Sequence, residues 1–575
     1  MNPINSLSNN HNFGIQYIKT NSYDDNFEVN GNGGWSNNRN NANSITDVKD
    51  SIGNLISNNR NRNFGNSQSN NQNLSIIFSK RSQDNPLAQY RVDINANRSD
   101  NKSDRYENSI FNSFVDDAKD TSYNRRYQNN NSSTEATATL TYEGLKRLLL
   151  GRYNFFGIDM NFVQWLNYNN SENNQATFNY DSTTQQYRTD NRLTYLNKNK
   201  KLEYSPQIQF RKNFFKWNEK RDRNIGINLT LIEDLKKDEN SSSISNRNLT
   251  RSFAFFRYEA FLYAYYNIRE KRRFNFSATY RKNFGYPTID ELYTITDDIN
   301  AYSIRYGNPF LKNNINHNYS LSGGINSQNP KAKYSYNGNF NAGYVYTNHP
   351  TVDSLITDSS GRRTYYYINV PQSNAYNASY GFNISRKIKK SNLQLMYNGS
   401  YNNRQTPTYI NEVYTIPKAI GLYNKFTFQV SIQSKYIVSI GQSYNISRTI
   451  QNVAGLTSYR NFTNITNLGV TVNLPKGLGV SSTFDYTKNS NLAKPMPLWN
   501  AFATYRALKS ETIELKFSAM DMLRKFQNIS NSSDMYGTST RISNGLQQYF
   551  LFTISYFPRK FGKTEIKRQV VEQVW

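Results

Sequence analysis

Short segments in which apolar and polar residues alternate recur along most of the chain, up to its C-terminus. In Leu393 to Tyr401 the odd positions are apolar or small and most even positions are polar, so one face of such a strand suits lipid and the other suits water. In Phe426 to Gln433 the even positions are apolar, and this phase resumes after Ser434 and Lys435. Two strands joined by so short a turn predict a β-hairpin.

The number of these segments and the lengths of their connections predict the fold class. Roughly twenty alternating segments occur. Tight basic or Gly/Pro-containing turns, such as Lys387 to Ser391, alternate with long polar loops at Ile295 to Asn316, Asn348 to Asn369, Asn403 to Leu422 and Gln527 to Gly545. Short turns on one rim and long loops on the other are typical of outer-membrane barrels. We therefore predict an all-β fold, an antiparallel transmembrane β-barrel of about 20 to 22 strands with long extracellular loops.

The composition fits this fold. Only 36% of the 575 residues are hydrophobic, yet the chain has 45 Tyr and 34 Phe. So polar a chain would ordinarily predict disorder. A barrel, however, needs apolar residues only at every second position of its membrane band, with aromatic girdles at both interfaces. No stretch approaches the ~18 uninterrupted apolar residues of a membrane helix.

The charge does not point to nucleic acid, although the formal net charge is +27. Lys and Arg are spread through turns and loops, with no basic helix and no recognisable reader motif, so we expect no nucleic-acid partner. Basic rim residues suit the phosphates of lipopolysaccharide or of phospholipid head groups in the outer membrane. Codon bias in an AT-rich genome is an alternative explanation of the Lys and Asn content. The chain has no cysteine, which excludes disulfides and thiolate metal sites.

Few residues suggest catalysis. The three histidines, His11, His317 and His349, lack metal-ligand spacing, and there is no nucleophile elbow or phosphate-binding Gly loop. The acidic pairs at 24–25, 116–117 and 297–298 lie in polar stretches, where we expect solvated acids, with calcium or substrate binding as the alternative. We predict no enzymatic activity, no catalytic or metal site and no cofactor.

We divide the chain into three parts. Residues 1–133 form an N-terminal, loop-rich part of the barrel, in which we interpret the Asn-rich tracts Ser36 to Asn43 and Ser57 to Asn73 as long mobile loops or low-complexity disorder. Residues 134–557 supply the main barrel strands, and residues 558–575 a periplasmic tail. The first residues have no basic or apolar leader region, and alternation already runs at Phe13 to Tyr17. We therefore expect an N-terminally truncated chain without signal peptide.

Two regions resemble a known family. The sequence Tyr-Pro-Thr-Ile-Asp-Glu-Leu at Tyr286 to Leu292 is followed by Tyr-Gly-Asn-Pro-Phe-Leu-Lys at Tyr306 to Lys312 and by a strand start at His317. This resembles the mid-barrel signature of TonB-dependent receptors. Trp499-Asn500 followed by Glu514 to Leu523 is similar to the closing strands of these receptors, in particular of the "outer membrane protein beta-barrel" subgroup. The matching positions of the first region are Pro287, Glu291, Leu292, Gly307, Asn308, Pro309, Leu311, Lys312 and His317.

The first region departs from the family pattern at two places. Asn313-Asn314 stand where Pro-Glu is usual, and Tyr286 stands where Arg is usual. We interpret the matching positions as structural, since Gly307-Asn308-Pro309 has the residues of a turn, and we expect His317 at an interface or rim. No residue identifies the substrate.

The resemblance implies a receptor or transporter in the Gram-negative cell envelope, which takes up a large or scarce nutrient across the outer membrane. We find no plug domain and no TonB box, so a TonB-type energy coupler would act only through a plug absent from this chain. The alternatives are a non-transporting outer-membrane barrel with an adhesive or structural role, and a soluble surface-exposed β-protein.

The last alternating strand carries the aromatic and aliphatic residues Tyr549, Phe550, Phe552, Ile554, Tyr556 and Phe557. Pro558 follows and has no N–H with which to continue a ladder. An aromatic-rich terminal strand resembles the insertion signal that the outer-membrane assembly machinery recognises. We therefore expect that machinery to be a partner of the chain.

Overall fold

A single antiparallel sheet of 22 strands makes up most of the molecule. The computed structural model describes residues 6–557 apart from 23–24, 50–54, 82–84, 86, 115–119, 300–302, 330, 359–361, 434, 453–457, 491, 493, 508–511, 527, 535–536 and 544–546. The N-terminal strands and short helices are β1 (Ser6–Ser22), β2 (Asp25–Lys49), β3 (Leu55–Arg81), β4 (Gln89–Ser113), β5 (Thr121–Tyr142), α1 (Leu145–Leu150), the 3-10 helix η1 (Phe155–Gly157), β6 (Asp159–Asp181), β7 (Gln186–Thr189), β8 (Tyr195–Asn218), β9 (Arg221–Ser242) and η2 (Ser245–Arg247). The middle elements are β10 (Leu249–Ile268), β11 (Arg272–Gly285), α2 (Ile289–Leu292), β12 (Ser303–Tyr306), β13 (Asn314–Ser327), β14 (Tyr334–Asn348), β15 (Thr351–Thr357), β16 (Arg363–Asn369), β17 (Gln372–Ile388), β18 (Ser391–Gln405), β19 (Thr408–Ile410) and β20 (Val413–Thr415). The C-terminal elements are β21 (Lys418–Ile432), β22 (Tyr436–Ile450), β23 (Tyr459–Leu474), η3 (Pro475–Gly477), β24 (Leu478–Asn489), β25 (Met496–Ala507), β26 (Ile513–Met520), β27 (Asn528–Asp534), β28 (Gly537–Ser543) and β29 (Tyr549–Tyr556).

The main strands form a meander in which neighbours along the chain pair antiparallel. Short turns connect β17 to β18 and β21 to β22 at one end of the sheet, which we call the tight rim. The long connections, among them those from β11 to β13 and from β14 to β17, lie at the other end, the loop rim. The predicted all-β fold, the strand number, the asymmetry of the rims and the hairpin of Phe426 to Gln433 are confirmed.

The sheet curls so that its C-terminal part approaches its N-terminal part. The hairpin of β27 and β28, which precedes the last main strand, contacts β2 on one side and both β22 and β23 on the other. β2 belongs to the first hairpin of the meander. The hairpin therefore bridges the N-terminal and C-terminal parts of the curved sheet, and the molecule has the architecture of a β-barrel.

Apolar side chains form a continuous row around one face of the sheet. Phe428 pairs with Leu395 on one side and with Ile440 on the other. Through successive register pairs the row comprises Ile384, Leu395, Phe428, Ile440, Leu468, Phe484 and Trp499. Phe428 is 36% exposed, whereas the next residue, Gln429, is 9% exposed. The apolar set thus faces outward and the polar set lines the interior.

Five tyrosines on adjacent strands form a band of aromatic rings on the outward face. The ring centroids of Tyr258 and Tyr280 lie 5.4 Å apart, and those of Tyr280 and Tyr319 lie 5.0 Å apart. The band continues to Tyr344 at 5.9 Å and from there to Tyr376 at 4.7 Å. Such a band at one height is the form that an interfacial girdle takes in membrane barrels.

The interpretation of the Asn-rich tracts as mobile or disordered loops is wrong. Strand β2 runs through Ser36 to Asn43 and strand β3 through Ser57 to Asn73, and the two pair with each other, for example Ser36 with Ser69. β3 also pairs along its length with β4. Because neighbours on both sides satisfy the backbone N–H and C=O groups, a strand with polar residues on both faces is stable where both faces meet water.

The end of the chain is described as far as Phe557. The predicted terminal strand is present as β29, which pairs with β26 and places Phe552 opposite Phe517. Pro558 and the tail 558–575 lie outside the described residues. Among the described residues, no helix has the length and apolar character needed to cross a membrane.

Candidate functional site

Three long loops build a second, smaller sheet at the loop rim, which we call the cap. It has the strand order β12, β16, β15, β19, β20. Val352, Leu355, Val370 and Ile410 are buried and form its core. The guanidinium of Arg362, next to β16, lies 4.9 Å from the ring centroid of Phe111 on β4, although the loop of Arg362 starts at β14. The cap therefore reaches across the mouth of the barrel.

An ion pair joins two strands of the cap. Arg305 on β12 donates to the carboxylate of Asp353 on β15 at 2.7 Å, and its guanidinium lies over the rings of Tyr365 and Tyr367. Burial raises the pKa of the Asp353 carboxyl, while the charge of Arg305 opposes this shift. The cap thus has a polar link across its strands as well as an apolar core.

The first part of the family-like motif forms a capped turn of helix at the base of the cap. The backbone N–H of Glu291 donates to the Thr288 hydroxyl at 3.3 Å, and the backbone N–H of Thr288 donates to the Glu291 carboxylate at 2.7 Å. This is a capping box, which satisfies two N–H groups that the short helix α2 leaves open. Leu292 is buried beneath it and Pro287 accepts a hydrogen bond from Arg251 at 2.6 Å.

The second part of the motif packs directly on the first. The backbone N–H of Asn308 donates to the carbonyl oxygen of Glu291 at 2.8 Å, and the Asn308 side chain donates to the carbonyl of Tyr367 at 2.9 Å. A Cβ at Gly307 would lie 2.6 Å from the carbonyl oxygen of Leu292, so only glycine allows this approach. Pro309 and Leu311 follow in the same loop, and the N–H of Lys312 donates to Asn369 of the cap at 2.6 Å.

His317 lies on β13, next to the tyrosine band. Its Nδ1 is 3.0 Å from the Tyr280 hydroxyl, and its ring packs beside Tyr346. His11 stacks on Trp35 with ring centroids 5.0 Å apart, and His349 lies in the turn between β14 and β15. Within the described ranges no group of His, Cys, Asp or Glu side chains could hold a metal ion.

The second family-like region also joins residues that are distant in sequence. The Asn500 side chain accepts a hydrogen bond from the backbone N–H of Asp521 at 2.9 Å, and the N–H of Met522 donates to the carbonyl of Trp499 at 2.9 Å. The buried Asp521 carboxylate accepts from the backbone N–H groups of Lys525 and Phe526 at 2.9 and 3.0 Å. These hydrogen bonds therefore fix the conformation of the chain where it leaves β26 and enters the following loop.

The acidic pair Asp297 and Asp298 is bound to a buried arginine on β5, in an arrangement that we call the latch. Arg125 on β5 is 1% exposed. It donates to Asp297 at 2.5 Å and to Asp298 at 2.6 Å. The Tyr127 hydroxyl donates to Asp297 at 2.8 Å. The expectation of solvated acids is wrong for this pair, because Arg125, 172 residues away, neutralises Asp297. Asp24, Asp116 and Asp117 lie outside the described residues.

Further charges surround the latch. Arg192 lies 3.8 Å from Asp298 and 3.1 Å from Asp190. Burial alone would raise the pKa of Asp190, but hydrogen bonds from Arg192 and Asn179 outweigh it, and the pKa is lowered. Positively and negatively charged side chains thus hold the loop of Asp297 and Asp298 to the wall. The loop in this position closes part of the mouth.

Below the cap, charges of alternating sign line the inner wall on β8 to β11. Asp234 accepts from Arg257 at 2.6 Å, and Glu259 accepts from Arg257 at 2.6 Å and from Arg281 at 3.0 Å. Lys236 lies 3.3 Å from Glu203. A cavity of about 290 Å³ adjoins this wall, lined among others by Arg211, Asn228, Thr230, Glu259, Thr279 and Arg281. Such a surface can bind a polar or charged solute through hydrogen bonds.

Aromatic rings connect this wall to the base of the cap. Phe253 stacks on Tyr286 with centroids 4.6 Å apart, and Phe255 stacks on Phe284 at 4.5 Å. The guanidinium of Arg251 lies 5.2 Å from the ring centroid of Tyr286. Burial raises the pKa of Tyr286 to about 12, so its hydroxyl is protonated at neutral pH. Sequence alternation alone gave no signal for this inward aromatic cluster.

No family model matches the chain, and no curated protein matches it. Among solved structures, P. aeruginosa FpvA bound to a heterologous pyoverdine is 11% identical with a TM-score of 0.48; the match covers 96% of this chain and 65% of FpvA, less than two thirds of its length. The copper transporter OprC is 11% identical, with coverages of 96% and 80% and a TM-score of 0.42. The Serratia marcescens hemophore receptor HasR is 8% identical, with coverages of 95% and 80% and a TM-score of 0.40. At these identities and TM-scores the likenesses say nothing of this chain's own ligand.

Proposed function

We propose that the chain is an outer-membrane β-barrel of receptor or transporter type. The observation that carries this proposal is the continuous outward apolar row with the tyrosine band on one face of the barrel and a polar, charged wall on the other. An apolar band around the curved sheet suits hydrocarbon, because the main strands between β1 and β29 have paired neighbours on both sides. The long loops then face the exterior and the tight rim faces the periplasm.

The interior supports uptake of a polar nutrient. The wall of Asp234, Arg257, Glu259 and Arg281 offers both donors and acceptors to a solute, and the cap and latch control access from the loop rim. Energy from a TonB-type coupler would reach the barrel through a plug domain. The resemblance of the motif at Tyr286 to Lys312 supports this class, and we propose a structural role for its residues in anchoring the cap. We propose no enzymatic activity.

The proposal is tested with the purified chain in planar lipid bilayers. We expect heat-modifiable migration in detergent gels and a conductance that rises when the cap strands β15 and β16 are replaced by a short Gly/Ser linker. A linker of equal length inserted at the tight rim, between Lys389 and Lys390, is the control and should leave the conductance unchanged. A folded chain that does not insert into bilayers would contradict the proposal.

One observation favours an adhesive role as a second candidate. Aromatic residues of the cap are exposed to solvent: Tyr306 stacks on Tyr366 at 5.5 Å and Tyr409 packs against Tyr414 at 5.4 Å, while Phe310 is 87% exposed. Exposed tyrosines are common anchors at protein interfaces. Replacement of Tyr306, Tyr366, Tyr409 and Tyr414 by Ser should abolish attachment of cells if the cap is an adhesin, and should leave attachment unaffected if the barrel only transports.

A further inference from the structure

Three arginines lie on the outward face close to the tight rim and form what we call the arginine row. Arg223 on β9, Arg272 on β11 and Arg386 on β17 are exposed. Each guanidinium lies over an outward aromatic ring: Arg223 over Tyr266 at 5.6 Å, Arg272 over Phe274 at 5.3 Å and Arg386 over Tyr334 at 5.2 Å. None of the three has an ion pair with a described carboxylate. A guanidinium stacked in this way keeps its edge N–H groups free for an anion.

An apolar groove of about 830 Å³ opens on the same face, between the strands that carry the arginine row. Its walls are Tyr266, Phe274, Phe276, Ile325 and Phe340, and its floor includes Gly323 and Gly338. No Asp or Glu lines it. Because Gly338 projects no side chain, the floor lies lower there than the neighbouring outward surface, while the ring of Phe340 covers Gly323. The volume lies within the range of small-molecule sites.

We propose that the groove and the arginine row together bind a phospholipid with an anionic head group. The acyl chains lie in the groove and the phosphate accepts hydrogen bonds from Arg223, which lines it, while Arg272 and Arg386, on strands farther along the sheet, add positive potential at the same rim. We choose this ligand on charge complementarity. Three cations without carboxylate partners lie beside an apolar groove, and an amphiphile with an acidic head group complements both the cations and the groove. The arrangement matches the preference of guanidinium for bidentate contact with phosphate. This inference rests on the proposed placement of the outward face in a membrane.

The test uses the full chain in detergent micelles and measures bound lipid by native mass spectrometry. Phosphatidylglycerol is the anionic probe and phosphatidylcholine, with the same acyl chains, the zwitterionic one. We expect the wild-type chain to bind phosphatidylglycerol in preference, and the variant R223Q/R272Q/R386Q to bind it at least fivefold more weakly. The control variant K389Q/K390Q/K435Q removes the same charge from turns of the same rim at residues that do not line the groove, and should bind as the wild type does.

Two further variants test the groove without touching the arginines. Gly338→Leu fills the floor, and Ala264→Phe fills the side formed by β10; each should lower phosphatidylglycerol binding at least threefold in protein that migrates as folded barrel. Equal losses in the lysine control, or wild-type binding in both filled variants, would overturn the lipid site.

Insertion into phosphatidylcholine bilayers is measured on the same samples. A wild-type chain that inserts but shows no preference for phosphatidylglycerol overturns this inference alone, whereas one that does not insert overturns the proposed function as well.

Discussion

The ring of Phe340 on β14 covers Gly323, its register partner on β13. A Cβ added at Gly323 would lie 2.3 Å from a ring carbon of Phe340. Tyr380 and Gly399 form the same kind of pair on β17 and β18, where the added Cβ would lie 2.4 Å from the ring. An aromatic ring folded over a glycine on the next strand restores contact area that the glycine lacks. These pairs therefore fix the rotamer of the ring and the register of the strands.

We predict that Gly323→Ala lowers the free energy of unfolding by about 1 to 3 kcal/mol, because the ring must leave its position and the strand becomes overpacked. Urea unfolding of the liposome-inserted protein, followed by tryptophan fluorescence, measures this change. Gly31→Ala is the matched control, since a Cβ at Gly31 meets nothing within 4 Å, and it should be neutral. Adding Phe340→Ala to Gly323→Ala should recover part of the loss; additive losses would show that the two residues are not coupled.

The direction of the side chains on β22 gives a second prediction. Val438 faces outward, paired with Val430 and Val470, while its neighbour Ser439 faces the interior opposite Gln429. Val438→Arg should destabilise the membrane-inserted barrel by up to about 1 kcal/mol, because Val438 lies close to the tight rim, where an arginine costs less than the ~2 to 4 kcal/mol at the bilayer midplane. Ser439→Arg should cost much less, because it meets the aqueous interior. Similar unfolding free energies for the two variants would contradict the assigned faces.

The latch predicts a change in access to the barrel. Arg125→Met leaves Asp297 and Asp298 without their buried cation, and because both carboxylates are 32% exposed, the loss should be smaller than the ~3 to 5 kcal/mol of a fully buried pair. We expect the loop from Tyr286 to Asn313 to detach, which would raise both its cleavage by protease and the conductance in planar bilayers. Arg98→Met is the control, because the Arg98 to Asp100 pair at 3.0 Å is largely exposed and contributes little. Unchanged protease resistance in Arg125→Met would show that the latch does not hold the loop.

Assembly should depend on the outward face of the last described strand. Phe552 and Tyr556 are exposed on β29, and Thr553 and Ser555 alternate with them. Phe552→Asp with Tyr556→Asp should block insertion into the outer membrane, because charge replaces the aromatic residues of the insertion strand. Thr553→Asp with Ser555→Asp places the same charge on the other face and should assemble. Heat-modifiable protein in the outer-membrane fraction is the measurement, and normal assembly of the first double variant would place the signal elsewhere.

The sequence by itself determined the strands of alternating apolar and polar residues, their hairpins and the faces of their side chains. Phe428 and Gln429 alternate in the sequence and face opposite sides in the structure, since the side-chain direction of a strand has a period of two. The turns of the tight rim could also be predicted from the sequence, because only Lys389 and Lys390 separate two alternating segments. Because these features depend on a few consecutive residues, the local pattern of the sequence is sufficient to predict them.

Only the tertiary structure decided where polar stretches pair and what the long loops do. The Asn-rich tracts of β2 and β3 have no apolar alternation, and they are strands because each is hydrogen-bonded between two neighbours. The cap unites three loops, and the latch joins Arg125 to Asp297 across 172 residues. Closure of the barrel brings such groups together, and the stabilisation of a buried charge by a distant partner leaves no trace in the spacing of residues along the chain.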